Sequence, residues 1–367
     1  MKKFLTVLLL FLLLPVGFSM AATDVAYSVR AKVVELLEHT GNEVNELADS
    51  YYFESQFVKV RILEGEHKGK KVMAEHSTTA YFTDYETYRL KKGDRVFITY
   101  NIDDYGEPVD IYVTDLVREN YLLLITALFV FLILILGRGQ GVKTIITLFI
   151  TVFIVIKILI PLILKGFPPL LTSVVLCSIV ILISFLIITG WNKKTHAAAI
   201  GTVSGVVIAG ALALIIGSSA RLTGLAQEET LMLINIPQEV RFNYQGLLFS
   251  GIIIGSMGAV MDVGMSIASA LYEIKNANPD VTFSQLVRSG LNVGRDVMGT
   301  MSNTLILAYA GGALNLILLF TAYDIPFGQI INGDYMASEI VRALAGSIGL
   351  IITIPCTTLI AAKLYTK

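Results

Sequence analysis

From residue 121 onward the chain is dominated by seven apolar stretches, at 121–137, 144–164, 170–190, 197–217, 247–273, 297–321 and 341–364. A hydrocarbon core about 30 Å thick is crossed by ~20 residues of helix, and each stretch is close to that length or longer. Lipid cannot satisfy a bare peptide group, so a stretch that crosses has to fold as a helix. Composition agrees. Hydrophobic residues make up 54 % of the 367 and charged residues only 16 %, and the mean hydropathy is +0.70, far from the balance of a soluble domain. The expected architecture over residues 121–367 is a membrane all-α helical bundle of about seven transmembrane helices, with the lipid bilayer as its first partner.

Two of these stretches carry groups that lipid does not tolerate. Residues 251–315 read SGIIIGSMGAVMDVGMSIASALYEI, a polar connector, then VGRDVMGTMSNTLILAYAGGALN. At helical spacing Gly255, Gly258, Ala259, Asp262, Ser266, Ser269 and Glu273 fall on one stripe, and Asp296, Thr300, Asn303 and Thr304 on a second that Ala310, Gly311 and Gly312 continue. Such faces are expected to turn inward, against each other or around a hydrated path. Asp262 weighs most, because it lies near the middle of its stretch, where an ionised carboxylate costs about 2.5–3.5 kcal/mol on insertion scales. Two readings of it stand side by side: a proton- or cation-binding group, or a packing residue hydrogen-bonded to Asn303 or a serine. Glu273 and Asp296 are expected near the membrane surface, where Arg295 or Arg288 neutralises them.

The run GAVMDVGMSIASALYEI, followed by VGRDVMGTMSNTLILAYAGGALNLI, resembles the signature of the YibE/F-like family of bacterial multi-pass membrane proteins, over most of the chain from about Tyr121. The resemblance implies the architecture and leaves the substrate open. A shorter pattern is similar to SecD/SecF-type subunits and their resistance-nodulation-division relatives. There a membrane Asp is followed by an acid at the cytosolic end of its helix, and the next helix opens with Asn and Thr. Asp262, Glu273, Asn303 and Thr304 reproduce that layout. Likeness of pattern is not function.

The N-terminus, MKKFLTVLLLFLLLPVGFSMAATD, has the lysines, short apolar core and small residues of a secretory signal peptide over 1–22, or of an uncleaved anchor. Either delivers the next hundred or so residues to the outside of a bacterial cytoplasmic membrane. Residues 23–120 then read as a soluble β domain. Alternating runs at 28–36, 56–63, 70–75, 94–100 and 109–117, separated by turn-formers, predict a small five-stranded all-β barrel of the oligonucleotide/oligosaccharide-binding type. His39, His67 and His76 are too dispersed for a metal set and read as solvated surface histidines. Tyr81, Phe82, Tyr85 and Tyr88 form an aromatic run that suits a contact surface or a loop packed on the barrel.

Loop charges give orientation. With the β domain outside, the inner loops and tail carry Arg138, Lys143, Lys193, Lys194, Lys275, Arg288, Arg295, Lys363 and Lys367, and the outer loops only Lys165, Arg221, Arg241 and Arg342. This is the positive-inside bias, and it puts the C-terminus in the cytoplasm. Pro161 and Pro355 are expected to kink or interrupt their stretches, and Gly201, Gly205 and Gly210, with Ser204 and Ala209, to form a close-approach face. Lys157, a conceivable partner for Asp262, is better placed to snorkel to the outer surface. The outer loop 218–246 reads as a surface segment or a cap on a path. The connector after Glu273 carries a helix start at Thr282 or Asp280 and predicts a short interfacial helix that holds Glu273 and Asp296 near each other.

No phosphate-binding glycine loop, serine-hydrolase motif or zinc-protease motif is present, so no enzyme, cofactor or metal is expected. An intramembrane aspartyl protease needs two acids meeting in the bilayer, and Asp262 with Asp296 is the only candidate pair. A net charge of −1 gives no reason to expect nucleic acid. Cys177 and Cys356 sit in apolar stretches and read as core residues. The leading expectation is a transport-type protein. Asp262 would be its protonatable or cation-binding group, Ser266, Ser269, Thr300, Asn303 and Thr304 would line the path, and Glu273, Arg295 and Asp296 would form a cytosolic entrance. The alternative is a non-transporting envelope or protein-export accessory factor whose outer β domain binds an envelope protein or a wall polymer.

Overall fold

The computed structural model of the chain describes residues 27–37, 52–80, 89–234 and 242–366. The expected signal peptide, His39 and the aromatic run at 81–88 lie outside the described residues. The chain divides into two compact units, Met1–Phe131 and Leu132–Lys367, taken in turn.

The first unit is built on five strands: β1 (Tyr27–Leu36), β2 (Tyr52–Ile62), β3 (Lys71–Ala80), β4 (Arg95–Ile102) and β5 (Pro108–Leu116). They close into a barrel in the order β1-β2-β3-β5-β4, with β4 returning to β1. The strands form where side chains alternate. Val29, Ala31 and Val33 of β1 point inward with Val58, Val60, Ile62, Val96 and Ile98, so one face of every strand buries its β-branched residues. All pairings are antiparallel except β3 with β5. β2 and β3 run longer than the alternation predicts, because they continue to pair from Gln56–His76 out to Tyr52–Ala80. Gln56 is buried, and its amide serves both backbone groups of Leu90: its nitrogen donates to the carbonyl at 3.2 Å and its oxygen accepts from the N–H at 2.9 Å. On the outside, Arg30 stands over the Phe97 ring and pairs with Glu64 and Glu119, and these carboxylates, the Glu119 hydrogen bond foremost, hold its guanidinium above its ordinary value. The histidines depart from expectation. His67 and His76 are half-buried, and His67 packs edge-on against the Tyr100 ring, so ring packing rather than solvent covers part of the imidazole.

The second unit is helical, and its first helix begins at the end of the first unit. A run formed by α1 (Glu119–Ile154), a π-helical turn (Val155–Leu159) and α2 (Ile160–Leu164) is followed by α3 (Pro169–Thr189), α4 (Lys193–Ser219) and a short α5 (Glu228–Ile234). Then come α6 (Tyr244–Ala277), α7 (Phe283–Gly312), α8 (Leu314–Ala322), α9 (Phe327–Asn332) and α10 (Asp334–Thr366). Among the described residues, five candidate spans are long and apolar enough to cross a membrane, or six if α7 and α8 count as one bent span. These are the proportions of a multi-pass membrane protein.

Three differences from the expected elements have local causes. The first two stretches follow each other in one run of 46 residues, in which two helices meet at a kink rather than across a loop. That run is not a straight rod, because Arg138 sits at φ 47°, ψ −127° and a β-carbon on Gly141 would collide with the carbonyl of Ile133, eight residues back and about 12 Å away in a continuous helix. The sixth stretch breaks at Ala313, where α7 and α8 bend by 59°. No separate interfacial helix precedes it: a capping box between Thr282 and Gln285 starts α7, which runs on without interruption past Asp296. Of the prolines, Pro161 follows the π turn at the start of α2, whereas Pro355 lies inside α10, which continues through it.

The core is a junction of α4, α6, α7 and α10. Gly201 and Gly205 of α4 lie against Thr357 and Thr353 of α10, and Gly264 of α6 lies against Thr202 of α4. At Gly205 any β-carbon would strike the Thr353 hydroxyl, so backbones meet there as only glycine permits. The expected close-approach face is therefore used. These contacts also fix direction. Ser256 lies level with Gly346 and Ala268 level with Tyr365, whose hydroxyl donates to the Ala268 carbonyl at 3.0 Å, so α6 and α10 run parallel. α4 and α7 run antiparallel to both, since Gly201 meets Thr357 and Gly294 meets Ile354.

Candidate functional site

Among the predicted site residues, α6 presents Asp262, Ser266 and Glu273 on its exposed side, with Ser269 half-buried. Its opposite side, Val260, Val263, Gly264, Ile267 and Leu271, is fully buried. Asp262 sits near the middle of a helix of 34 residues. It points out of the bundle and has no hydrogen-bond or ion-pair partner among the described residues, so the expected contact with Asn303 or a serine is not made. On α7, Arg295, Asp296, Thr300, Asn303 and Thr304 are likewise exposed, while Met298, Met301 and Leu305 pack inward. Period explains the split: the apolar and glycine positions 286, 290, 294, 298, 301 and 305 share one side of the helix, and α10 takes that side.

The two helices do lie side by side, as expected. Leu271 meets Gly290 and Gly255 meets Tyr309, so they are antiparallel neighbours. This register sets Asp262 at the depth of Thr300 and Met301, Ser266 at that of Asp296, and Glu273 at that of Arg288. Glu273 and Asp296 are therefore separated by more than a helical turn and do not form the expected joint entrance. Arg295 donates to Asn292 at 3.0 Å, one turn back on its own helix, and pairs with neither acid. The hydroxyls of Thr300 and Thr304 return to backbone carbonyls of α7 itself, at 3.0 and 2.9 Å. Lys157 is exposed and makes no pair with Asp262. The sequence-predicted residues thus share two polar faces at matched depths and are not joined to one another.

A second site was not foreseen. A cavity of about 340 Å³ opens where α5, the start of α6 and the start of α10 converge. Leu233, Leu247 and Leu248 supply its apolar wall, and Tyr335, Ser338, Glu339 and Arg342 a polar one. Arg342 pairs with Glu339 at 3.3 Å. Ser338 is 5 % exposed, and its hydroxyl and the Arg342 Nε find no partner among the described residues. One turn deeper, the Tyr309 hydroxyl is also buried without a partner, against Gly255. The loop that frames the cavity is pinned in place: Thr223 donates to Asp334 at 2.5 Å, and Gln245 donates to the Leu222 carbonyl at 2.8 Å. The signal is present in the sequence, since residues 335, 338, 339 and 342 recur at the spacing of one helix face. Hydropathy hides it, because the last apolar stretch starts only at residue 341 and leaves three of the four in a loop.

Among the described residues no group of three or more His, Cys, Asp or Glu is placed to hold a metal ion. The two cysteines are free, Cys177 buried and Cys356 half-buried. Compared with known proteins, the chain matches the family model described as YibE/F-like protein over residues 125–367 and that of the YibE/F family N-terminal domain over residues 26–116. No curated protein and no solved structure matches it. The helical and barrel units are each matched in chain order by a family model, and the chain belongs to the YibE/F-like family.

Proposed function

We propose that this is a transport-type protein of the bacterial cytoplasmic membrane, in which the outward polar faces of α6 and α7 line a water-filled path. The observation that carries this is Asp262: a mid-helix carboxyl on the outside of the bundle, without a partner among the described residues. Left in hydrocarbon, an ionised acid costs about 2.5–3.5 kcal/mol or more, whereas water beside it removes that cost. Asp262 is then the protonatable or cation-binding group. Ser266, Ser269, Thr300, Asn303 and Thr304 supply oxygens along the wall, and Glu273, Arg295 and Asp296 give its cytosolic half polar character. Both legs of the run broken at Arg138 cross separately in this reading, which gives seven spans, an external barrel and a cytoplasmic C-terminus in line with the loop charges. The chain has neither a nucleotide loop nor a catalytic set, and we read it as no enzyme. The test is pH-dependent flux of monovalent cations and protons in liposomes. Asp262→Asn is expected to abolish the pH dependence and lower flux at least tenfold; unchanged flux removes Asp262 from the mechanism.

A second reading has its own support in the barrel, which we take to be of the oligonucleotide/oligosaccharide-binding type and extracytoplasmic. Met73 on β3 and Tyr112 on β5 are 61 % and 49 % exposed, and the β3–β5 seam pairs Tyr112 with Glu75, two residues from Met73. An exposed apolar pair on a sheet seam suits a protein or wall-polymer partner. In that case the chain is an envelope or protein-export accessory factor. Cross-linking from position 73 in intact cells separates the two: capture of one stoichiometric partner that survives Asp262→Asn favours the accessory role.

A further inference from the structure

We infer that the cavity between α5, α6 and α10 is a binding site for a small zwitterion, whose oxyanion meets Arg342 and whose ammonium meets Glu339. This does not depend on the transport reading, because the cavity shares no residue with the α6 and α7 polar faces proposed to line the path.

Size and lining come first. At about 340 Å³ the cavity falls in the range of small-molecule sites, which combine mostly apolar walls with a few convergent polar groups. Leu247 and Leu248 on α6 and Leu233 on α5 would hold an apolar body, while the charged pair lies together one helical turn apart on α10.

The pair itself selects the ligand. Glu339 and Arg342 retain only 12 % and 20 % of their side-chain exposure, yet they touch through one nitrogen and one oxygen at 3.3 Å. A charge-assisted contact closes to about 2.7–2.9 Å, and an arginine matched to a carboxylate commonly uses two parallel bonds. Here the guanidinium fork is not used in that way, its Nε has no partner among the described residues, and the neighbouring Ser338 hydroxyl is buried without one. A simple anion entering beside this largely buried pair would compete with Glu339 and leave an extra negative charge behind. A simple cation would do the reverse. A molecule bearing both charges satisfies Arg342 and Glu339 together and adds no net charge, which beside a largely buried pair is the outcome with the smallest electrostatic penalty. Opposite α10, Gln227 and Thr230 offer neutral hydrogen-bonding groups for the remaining polar atoms.

The shared chemistry, an oxyanion a few bonds from an ammonium, has two sources: a free amino acid or the head group of an ethanolamine phospholipid. The experiment follows the thermal unfolding midpoint of the full-length purified protein. One arm adds each standard amino acid in detergent, together with single-charge analogues; for L-leucine these are 4-methylpentanoate and 3-methylbutylamine. The other arm compares nanodiscs of phosphatidylethanolamine with nanodiscs of phosphatidylglycerol. At least one amino acid, or the ethanolamine lipid over the glycerol lipid, is expected to raise the midpoint by several degrees, and the single-charge analogues are not. Glu339→Gln and Arg342→Gln should each remove that rise, and Arg342→Lys should keep part of it. Where a variant unfolds without ligand, the analogue comparison on the unaltered chain decides. An equal rise with the carboxylate-only or amine-only analogue would overturn the proposal, as would the absence of any rise from every amino acid and from the ethanolamine lipid.

Discussion

In the barrel, Gln56 is 4 % exposed and its amide serves both the N–H and the carbonyl of Leu90. In the helical unit, the hydroxyls of Thr202, Thr357 and Thr358 are fully buried and have no partner among the described residues. Each of them leans instead on a glycine of a neighbouring helix: Thr202 on Gly264, Thr357 on Gly201, Thr358 on Gly290. The contrast reflects what each fold leaves unpaired. A barrel formed by loops and strands buries backbone groups that some side chain must satisfy, so a long amide is placed there with matched geometry. A helix bundle has already satisfied its backbone within each helix, and what brings helices together in a membrane is close approach of small residues. The recurrence of threonine over glycine fits weak Cα–H···O contacts between helices, a second-order term that a larger side chain would forbid.

Three substitutions sharpen this difference. The largest effect is expected from Gly205→Leu, which forces a branched side chain into Thr353 and the backbone of Gly349. Overpacking costs about 1–3 kcal/mol and more where backbone must shift, so the purified protein should lose its monodisperse elution while the barrel keeps its hydrogen-exchange protection. Loss of protection in both units would mean that the two are not separable. Gln56→Ala comes next. It strands two buried backbone groups of Leu90, at about 1–3 kcal/mol, and faster exchange should be confined to strands β1–β5. Thr282→Ala is the mildest. Removing the capping box at the start of α7 is expected to cost about 1 kcal/mol, seen as fraying of the first turn of α7 by exchange with the rest of the bundle unchanged.

Regular elements are legible wherever one physical period governs. Alternation in VRAKV and RVFITY locates β1 and β4, and apolar length locates the candidate spans. Charge misleads where it is taken as a sign of the membrane surface. Arg288, Arg295 and Asp296 make the start of α7 look like a connector, yet they occupy the exposed side of one continuous helix whose other side, with Leu286, Gly290 and Gly294, packs on α10. At the first run the polar, glycine-rich sequence GRGQGVK marks the turn, and a positive φ at Arg138 makes it tighter than a loop of that length would. At the candidate site the stripes of α6 and α7 are real stripes, but their direction is the reverse of the one expected. Small and polar residues are expected to face inward, whereas the inward sides hold glycines and apolar residues, Gly264, Val260, Gly294 and Leu305. The cavity at Arg342 needs three dimensions, since α5 and α6 reach it from more than ninety residues away in sequence.

Whether the outward polar face is wet is the claim on which the transport reading rests. It is tested by placing single cysteines at Ser266→Cys and Asn303→Cys in a chain carrying Cys177→Ala and Cys356→Ala, with Leu359→Cys, 49 % exposed on an apolar part of α10, as the lipid-facing reference. In intact membranes, a charged, water-soluble thiol reagent is expected to modify positions 266 and 303 at least tenfold faster than position 359. Equal and slow modification at all three positions would show that no water reaches the face of Asp262, and would contradict the account.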